Sequence, residues 1–277
     1  MQKELDALVR AVAPLDRSAM TAAEEHQARL AKPPGSLGRL EELSVQLAGI
    51  TGKVHNELLR KQLLVFAADN GVVAEGVSSA PQSVTKQQTI NLTRGKTGAA
   101  VLAVLLGADV EAVTGRGGGI TEESFRKKKA VIRTAIEVNR PDRDDVVGVL
   151  SKVGGFDLAA MCGAFLGAAA ARRPAVIDGL ISAAAALCAV RLCPNVRGYL
   201  VPSHASFEIG YRLAMEAMDL RPLFDLGMRL GEGSGCPLAF QVLDAACAVI
   251  NDMATFDEAG INDDYLDEIR RGDQFTP

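Results

Sequence analysis

PAVIDGLISAAAALCAVRLCPNVRGYLVP, residues Pro174–Pro202, is the stretch that decides the fold. It opens on a short, nearly continuous apolar run, Pro174–Asp178, passes through a helical stretch, Ile181–Leu192, and returns to a second apolar run, Gly198–Pro202. Strands this uniformly apolar have both faces out of water, which is what a parallel sheet covered by helices requires. The alternation continues outward. Lys61–Ala68 (KQLLVFAA), Ala108–Val113 and Pro222–Leu226 read as further strands, and Thr97–Leu106, Glu123–Ile136 and Asp157–Ala171 as further helices. The expected class is α/β, a Rossmann-like parallel sheet covered by helices. Alanine supplies 13 of the 34 residues from Asp157 to Val190, and small side chains of this kind let helices pack closely.

The two chain ends carry helical spacing of their own. Leu5, Leu8, Val9 and Val12 share a face, as do Leu40, Leu43 and Leu47, and then Ile261, Tyr265, Leu266 and Ile269. The expected organisation is N-terminal helices over 1–60, an α/β body over 61–253 and a C-terminal helix over 254–277. The terminal segments would meet in a small helical domain.

At 277 residues, with 48% apolar and 23% charged residues, the chain can bury a sizeable core. A net charge of −4, no Trp and only 4% aromatic residues speak against nucleic-acid partners, which select for basic patches and stacking rings. No apolar run approaches the roughly 20 residues that cross a bilayer, and the amino terminus lacks a signal-peptide pattern. Five cysteines (Cys162, Cys188, Cys193, Cys236, Cys247) are an odd number without CxxC spacing, as expected of buried thiols in a reducing, cytoplasmic setting.

Several general motifs fail on inspection. Gly95-Lys96-Thr97 would end a P-loop, but Ile90 stands where the leading glycine is needed. Gly115–Ile120 lacks the third glycine of a dinucleotide fingerprint, and Glu232 before Gly233-Ser234-Gly235 excludes a nucleophile elbow. Three scattered histidines (His26, His55, His204) make a zinc site improbable. His26 and His55 read as surface residues and His204, after a strand, as a structural histidine.

Ligands of α/β proteins bind beyond the carboxyl ends of the strands, and those ends carry the unusual loops here. They are Asp69–Pro81, Thr114–Gly119, Val201–Ser206 and Arg229–Gly235. Within the last, Glu232 sits in Gly231-Glu232-Gly233-Ser234-Gly235, just ahead of an apolar helical face (Leu238, Val242, Ala245, Ala246, Val249, Ile250, Met253) whose first turn suits Pro237. A helix amino terminus favours the carboxylate by about 0.3–1 kcal/mol, whereas full burial opposes it by up to roughly 3–5 pKa units. Enclosed in an apolar pocket, Glu232 could serve as a general base.

Specific strings then narrow the reading. Lys32-Pro33-Pro34-Gly35-Ser36-Leu37-Gly38-Arg39-Leu40-Glu41, the Asn70–Gln88 loop, Val153–Ala159, Val176–Gly179, Ser203–Ser206 and Arg229–Gly235 together resemble the nicotinate-nucleotide–dimethylbenzimidazole phosphoribosyltransferase family, in the right order over nearly the whole chain. The resemblance implies a homodimeric, cytoplasmic pentosyltransferase without cofactor or metal, acting on small molecules. It would move phosphoribose from nicotinate mononucleotide to 5,6-dimethylbenzimidazole in cobalamin nucleotide-loop biosynthesis. By matching, Glu232 is the base, Ser79 and Gln87 belong to the benzimidazole side, and Gly117, Gly119, Lys128 and Ser206 to the nucleotide side, with Lys128 at the phosphate. By spacing alone, Arg126–Lys129 reads instead as a solvated helix face.

One departure stands out. The family carries a unit containing Gly-Glu-Met-Gly-Ile-Gly-Asn-Thr-Thr where Val113 here runs directly into Thr114. The resemblance therefore implies loss of a strand, its helices and a phosphate loop, with weakened nucleotide binding. The alternatives are a homologue that binds an azole or its riboside without turnover, or a structural partner protein.

Overall fold

A computed structural model describes residues 2–68, 98–116 and 120–266. Residues Pro174–Pro202 fold as a βαβ unit. Strand β1 (Ala175–Ile177) leads into a buried helix (Leu180–Leu192), a 3₁₀ segment (Pro194–Tyr199) and strand β2 (Leu200–Pro202). The strands pair in parallel, Ala175 with Leu200, Val176 with Val201 and Ile177 with Pro202. Alternation sends Val176 and Val201 to one face and Ile177 and Leu200 to the other, and each face is covered by a separate apolar cluster. Beyond β2 a parallel bridge, His204 with Phe224, adds a third extended segment.

Helices enclose this small sheet. In chain order they are α1 (Gln2–Ala11), α2 (Arg17–Arg29), α3 (Arg39–Thr51), α4 (Gly98–Leu106), α5 (Val110–Val113), α6 (Glu122–Asn139), α7 (Val146–Val153), α8 (Phe156–Ala170), α9 (Leu180–Leu192), α10 (Ile209–Met218), α11 (Cys236–Asp252) and α12 (Phe256–Ala259). The alanine-rich pair α8 and α9 pack together, with Ala183–Ala186 and Ala189 at zero exposure. Alanine here is packing material. On the opposite face, Leu43 and Leu47 of α3 meet Val201 and, from α11, Leu243, Ala246 and Cys247. Helix α2 joins them through Ala19, Ala23, Val45, Ala48 and Ile250, while α1 lies against α8. Tyr199, fully buried, places its hydroxyl where it donates to the Ala13 carbonyl at 2.8 Å, tying the segment after α1 to the sheet. All five cysteines are buried free thiols. No helix among the described residues is long and apolar enough to cross a membrane.

Two expected strands differ. Val110–Val113 is a helical turn, not a strand, because Asp109 caps it, its carboxylate accepting from Glu111 N at 2.9 Å, while Glu111 pairs with Lys129 and Arg133 of α6. Lys61–Ala68 pairs with no strand among the described residues. It runs across the surface with Leu63, Leu64 and Val65 exposed and Lys61 paired to Asp244 of α11 at 2.8 Å. An apolar run becomes a strand only when a neighbouring edge is present to take its backbone hydrogen bonds.

Candidate active site

The carboxyl ends of β1 and β2 deliver Asp178 and Ser203 to one side of the sheet, and the ladder is extended there by Ser203 N donating to Ile177 O at 2.8 Å. The Asp178 backbone is fixed locally. Its N–H donates to Ser182 Oγ, which donates in turn to the Gly179 carbonyl. Its carboxylate turns to the loop ahead of α11, where Oδ2 accepts from Gly233 N at 3.0 Å and Oδ1 from Gly235 N at 2.7 Å. Asp178 is 6% exposed, so these bonds replace water that the carboxylate has lost.

That loop has an unusual backbone. Gly231, Glu232 and Gly233 have φ of 76°, 57° and 76°, three left-handed residues in succession. Glycine adopts this conformation freely, whereas a residue with a Cβ is strained there by about 1–2 kcal/mol. Glu232 lies in the turn that leads into α11, whose cap is Gly235 and whose first turn contains Pro237, as anticipated from sequence. Its side chain is half-buried rather than enclosed and has no hydrogen-bond or ion-pair partner among the described residues.

The surrounding loops approach closely. A Cβ built on Gly179 would lie 3.7 Å from Gly231 Cα and 3.9 Å from Ser206 Oγ, so the β1 loop, the β2 loop and the Glu232 turn share one small region. A Cβ on Gly233 would come within 2.6 Å of Leu63, which places the Lys61–Ala68 segment over the turn. On Gly235 it would press into His204 Nδ1, with Ser203 Oγ at 2.5 Å and Asp178 Oδ1 at 3.0 Å.

His204 is a core residue. It has zero exposure, sits between Tyr211 and Phe224 with ring centroids 6.4 Å from each, and contacts Ser203 Oγ at 3.0 Å through Nδ1. Burial pushes its pKa down, against the opposing pull of Asp178 and then Asp225. The other two histidines form an edge-to-face pair 5.0 Å apart; His55 is exposed and His26 is half-buried, its Nε2 3.1 Å from the Ile250 carbonyl.

Lys128 lies apart from the solvated face of α6. Arg126 and Lys127 are exposed, but Lys128 turns inward and donates from Nζ to the Gly115 carbonyl at 2.8 Å. Burial lowers its pKa and Glu208 counters this; burial raises Glu208 and Lys128 counters that. Glu208 also lies near Gly115, 3.5 Å from where its Cβ would be, and its N–H donates to Ser206 Oγ at 3.4 Å. Glu208 thus acts on Lys128 through its charge and on Ser206 through its backbone. Ser79, Gln87, Gly117 and Gly119 fall outside the described residues. Among the described residues no group of three or more His, Cys, Asp or Glu is placed to hold a metal ion.

Asp178 and Glu208 escaped the sequence-based selection of site residues. Asp178 had a signal, an acid closing an apolar strand before a glycine; Glu208 reads as an ordinary acid at a helix start.

Comparison with known proteins gives this geometry its context. A family model described as phosphoribosyltransferase matches residues 12–111 and 96–261. A Clostridium perfringens protein named nicotinate-nucleotide–dimethylbenzimidazole phosphoribosyltransferase is 36% identical over 352 residues, covering 96% of this chain and 98% of its own length. One of the same name from Desulforudis audaxviator is 38% identical over 341 residues, covering 92% and 97%. A crystal structure of CobT from Thermus thermophilus superposes with a TM-score of 0.83 at 32% identity, covering 89% of this chain and 99% of that one. Alignments longer than 340 residues against a chain of 277 mean that these relatives hold internal residues without counterpart here. The two matched stretches overlap over residues 96–111, just ahead of the Val113–Thr114 junction at which the sequence signalled a lost unit. On extent and identity together, the chain belongs to the nicotinate-nucleotide–dimethylbenzimidazole phosphoribosyltransferase family.

Proposed function

We propose that this chain transfers phosphoribose from nicotinate mononucleotide to 5,6-dimethylbenzimidazole or a related base, releasing nicotinate and forming α-ribazole 5′-phosphate for cobalamin assembly. The observation that carries the reading is Glu232, a carboxylate without a partner among the described residues, held beyond the strand ends by a strained turn. Backbone strain of this kind concentrates at working positions.

The chemistry follows from the groups involved. A ring nitrogen of the azole attacks the anomeric carbon of ribose as the bond to the nicotinate nitrogen breaks. The bonding pair neutralises the departing pyridinium, so nicotinate leaves readily. Attack from the face opposite the leaving group converts the β to the α configuration. The other azole nitrogen surrenders its proton to the Glu232 carboxylate. Ser206 would contact the nucleotide and Lys128 its phosphate, as Lys128 is a desolvated cation held at Gly115 beside the glycine-rich Thr114–Gly119 loop. Gly117 and Gly119 would approach the nucleotide within that loop, and Ser79 and Gln87 would contact the base. The same reading takes the working species to be a homodimer in the cytoplasm, supported by family resemblance and by five unpaired, buried thiols.

The test is turnover of Glu232→Gln, which keeps the side-chain size and removes the base. Product formation should fall about 1000-fold, within the usual range for general-base removal, with the KM for nicotinate mononucleotide nearly unchanged. Undiminished turnover would overturn the assignment. Azole binding by the wild-type chain with no product at all would favour a non-catalytic binder.

A further inference from the structure

We infer that Asp178 is the positioning residue for Glu232, setting the direction of its side chain through the backbone on its C-terminal side. This rests on Glu232 being the base. Helix capping explains only half of what Asp178 does. Its bond to Gly235 N, at 2.7 Å, stabilises the cap of α11 as any carboxylate at a helix amino terminus would. Its bond to Gly233 N, at 3.0 Å, lies outside the helix, in the left-handed turn. That N–H belongs to the peptide unit joining Glu232 to Gly233. Fixing the plane of this peptide fixes ψ of Glu232, and with it the direction in which the Cα–Cβ bond projects.

The two bonds use both carboxylate oxygens of a side chain that is 6% exposed and anchored by β1. Neither a serine nor an amide reproduces this. Asparagine keeps one acceptor and would set an NH2 group against the second N–H. Without the anchor, nothing compensates a non-glycine residue at φ 57°, and the turn relaxes away from the reacting geometry.

The experiment is a kinetic cycle on the purified chain with nicotinate mononucleotide and dimethylbenzimidazole. Asp178→Asn should lower kcat about 100-fold, the scale expected when a catalytic group is misplaced by about 1 Å, while KM for the nucleotide changes less than about two-fold. The double variant Asp178→Asn/Glu232→Gln should be no slower than Glu232→Gln alone, as for residues acting as one unit. Wild-type kcat in Asp178→Asn beside a crippled Glu232→Gln would overturn positioning and leave the base assignment standing. Losses that multiply in the double variant would also overturn it, showing that Asp178 acts independently. An active Glu232→Gln would remove the base assignment and this inference together. Should Asp178→Asn fail to fold, amide exchange in the wild-type chain decides: Gly233 N–H protected about 100-fold or more supports the anchor, and exchange at the rate of an open peptide refutes it.

Discussion

Gly235 has little room to change. Its φ of −80° suits any residue, so alanine there is resisted by sterics alone, from His204, Ser203 and Asp178. Gly235→Ala should destabilise the fold by about 2 kcal/mol, a typical overpacking penalty, seen as a lower urea midpoint with unchanged slope. His204, beneath the same loop, should give stability a dependence on pH. Burial depresses its folded-state pKa below the ordinary 6.5. The unfolded chain therefore takes up a proton near pH 6.5 that the folded chain refuses, so this contribution is complete above that pH and is lost as pH falls through it. The slope is bounded at about 1.4 kcal/mol per pH unit for one proton, and the half-buried His26, lowered by burial and then by His55, acts in the same direction. The urea midpoint should fall between about pH 7.5 and 5.5, and fall less in His204→Gln. A variant with an identical slope would show that His204 is not the group responsible. Glu232 was legible in the sequence because a carboxylate between glycines before an apolar helix is a local pattern. Asp178 showed only as an acid closing an apolar strand; its role did not show, because its hydrogen bonds join strand β1 to a loop more than 50 residues away.

Among the elements, helices were the easier reading. Thr97–Leu106, Glu123–Ile136, Asp157–Ala171 and Ile181–Leu192 each lie within a residue or a few of the observed α4, α6, α8 and α9. Only α6 shows an amphipathic period; α4, α8 and α9 are almost uniformly apolar and read as helices from their alanine and leucine content. The strands divided according to their surroundings. Pro174–Asp178 and Gly198–Pro202 became β1 and β2 because each supplies the other's edge, and Pro222–Leu226 contributes Phe224 to the adjoining bridge. Within Ala108–Val113 the last four residues turned helical, and Lys61–Ala68 found no edge among the described residues. Close alanine packing between α8 and α9 offers a test at this scale. Ala184 has zero exposure in α9, so three more carbons would enter the packed interior. Ala184→Leu should cost about 1–3 kcal/mol, measured as a lowered thermal midpoint; an unchanged midpoint would show slack in the core.

The shortened interior governs the molecule as a whole. Relatives carry internal residues that this chain lacks, and here Leu63, Leu64 and Val65 lie exposed beside the Glu232 turn, with Phe207, Leu226 and Leu230 also exposed. Each exposed apolar Å² forgoes about 25 cal/mol of burial. Resemblance places a phosphate loop among the lost residues, whereas Glu232 and Asp178 remain. The chain should therefore bind dimethylbenzimidazole about as well as the Clostridium perfringens relative but require at least about ten-fold more nicotinate mononucleotide for half-saturation, equivalent to about 1.4 kcal/mol. Parallel KM measurements on both proteins check this, and equal values for the nucleotide would show that the retained loops suffice. The most direct test of the whole account is the product itself. Wild-type chain incubated with nicotinate mononucleotide and dimethylbenzimidazole should yield α-ribazole 5′-phosphate, with the inverted anomeric configuration read from the ribose proton by NMR. A β-configured product, or none at saturating substrates, would contradict it.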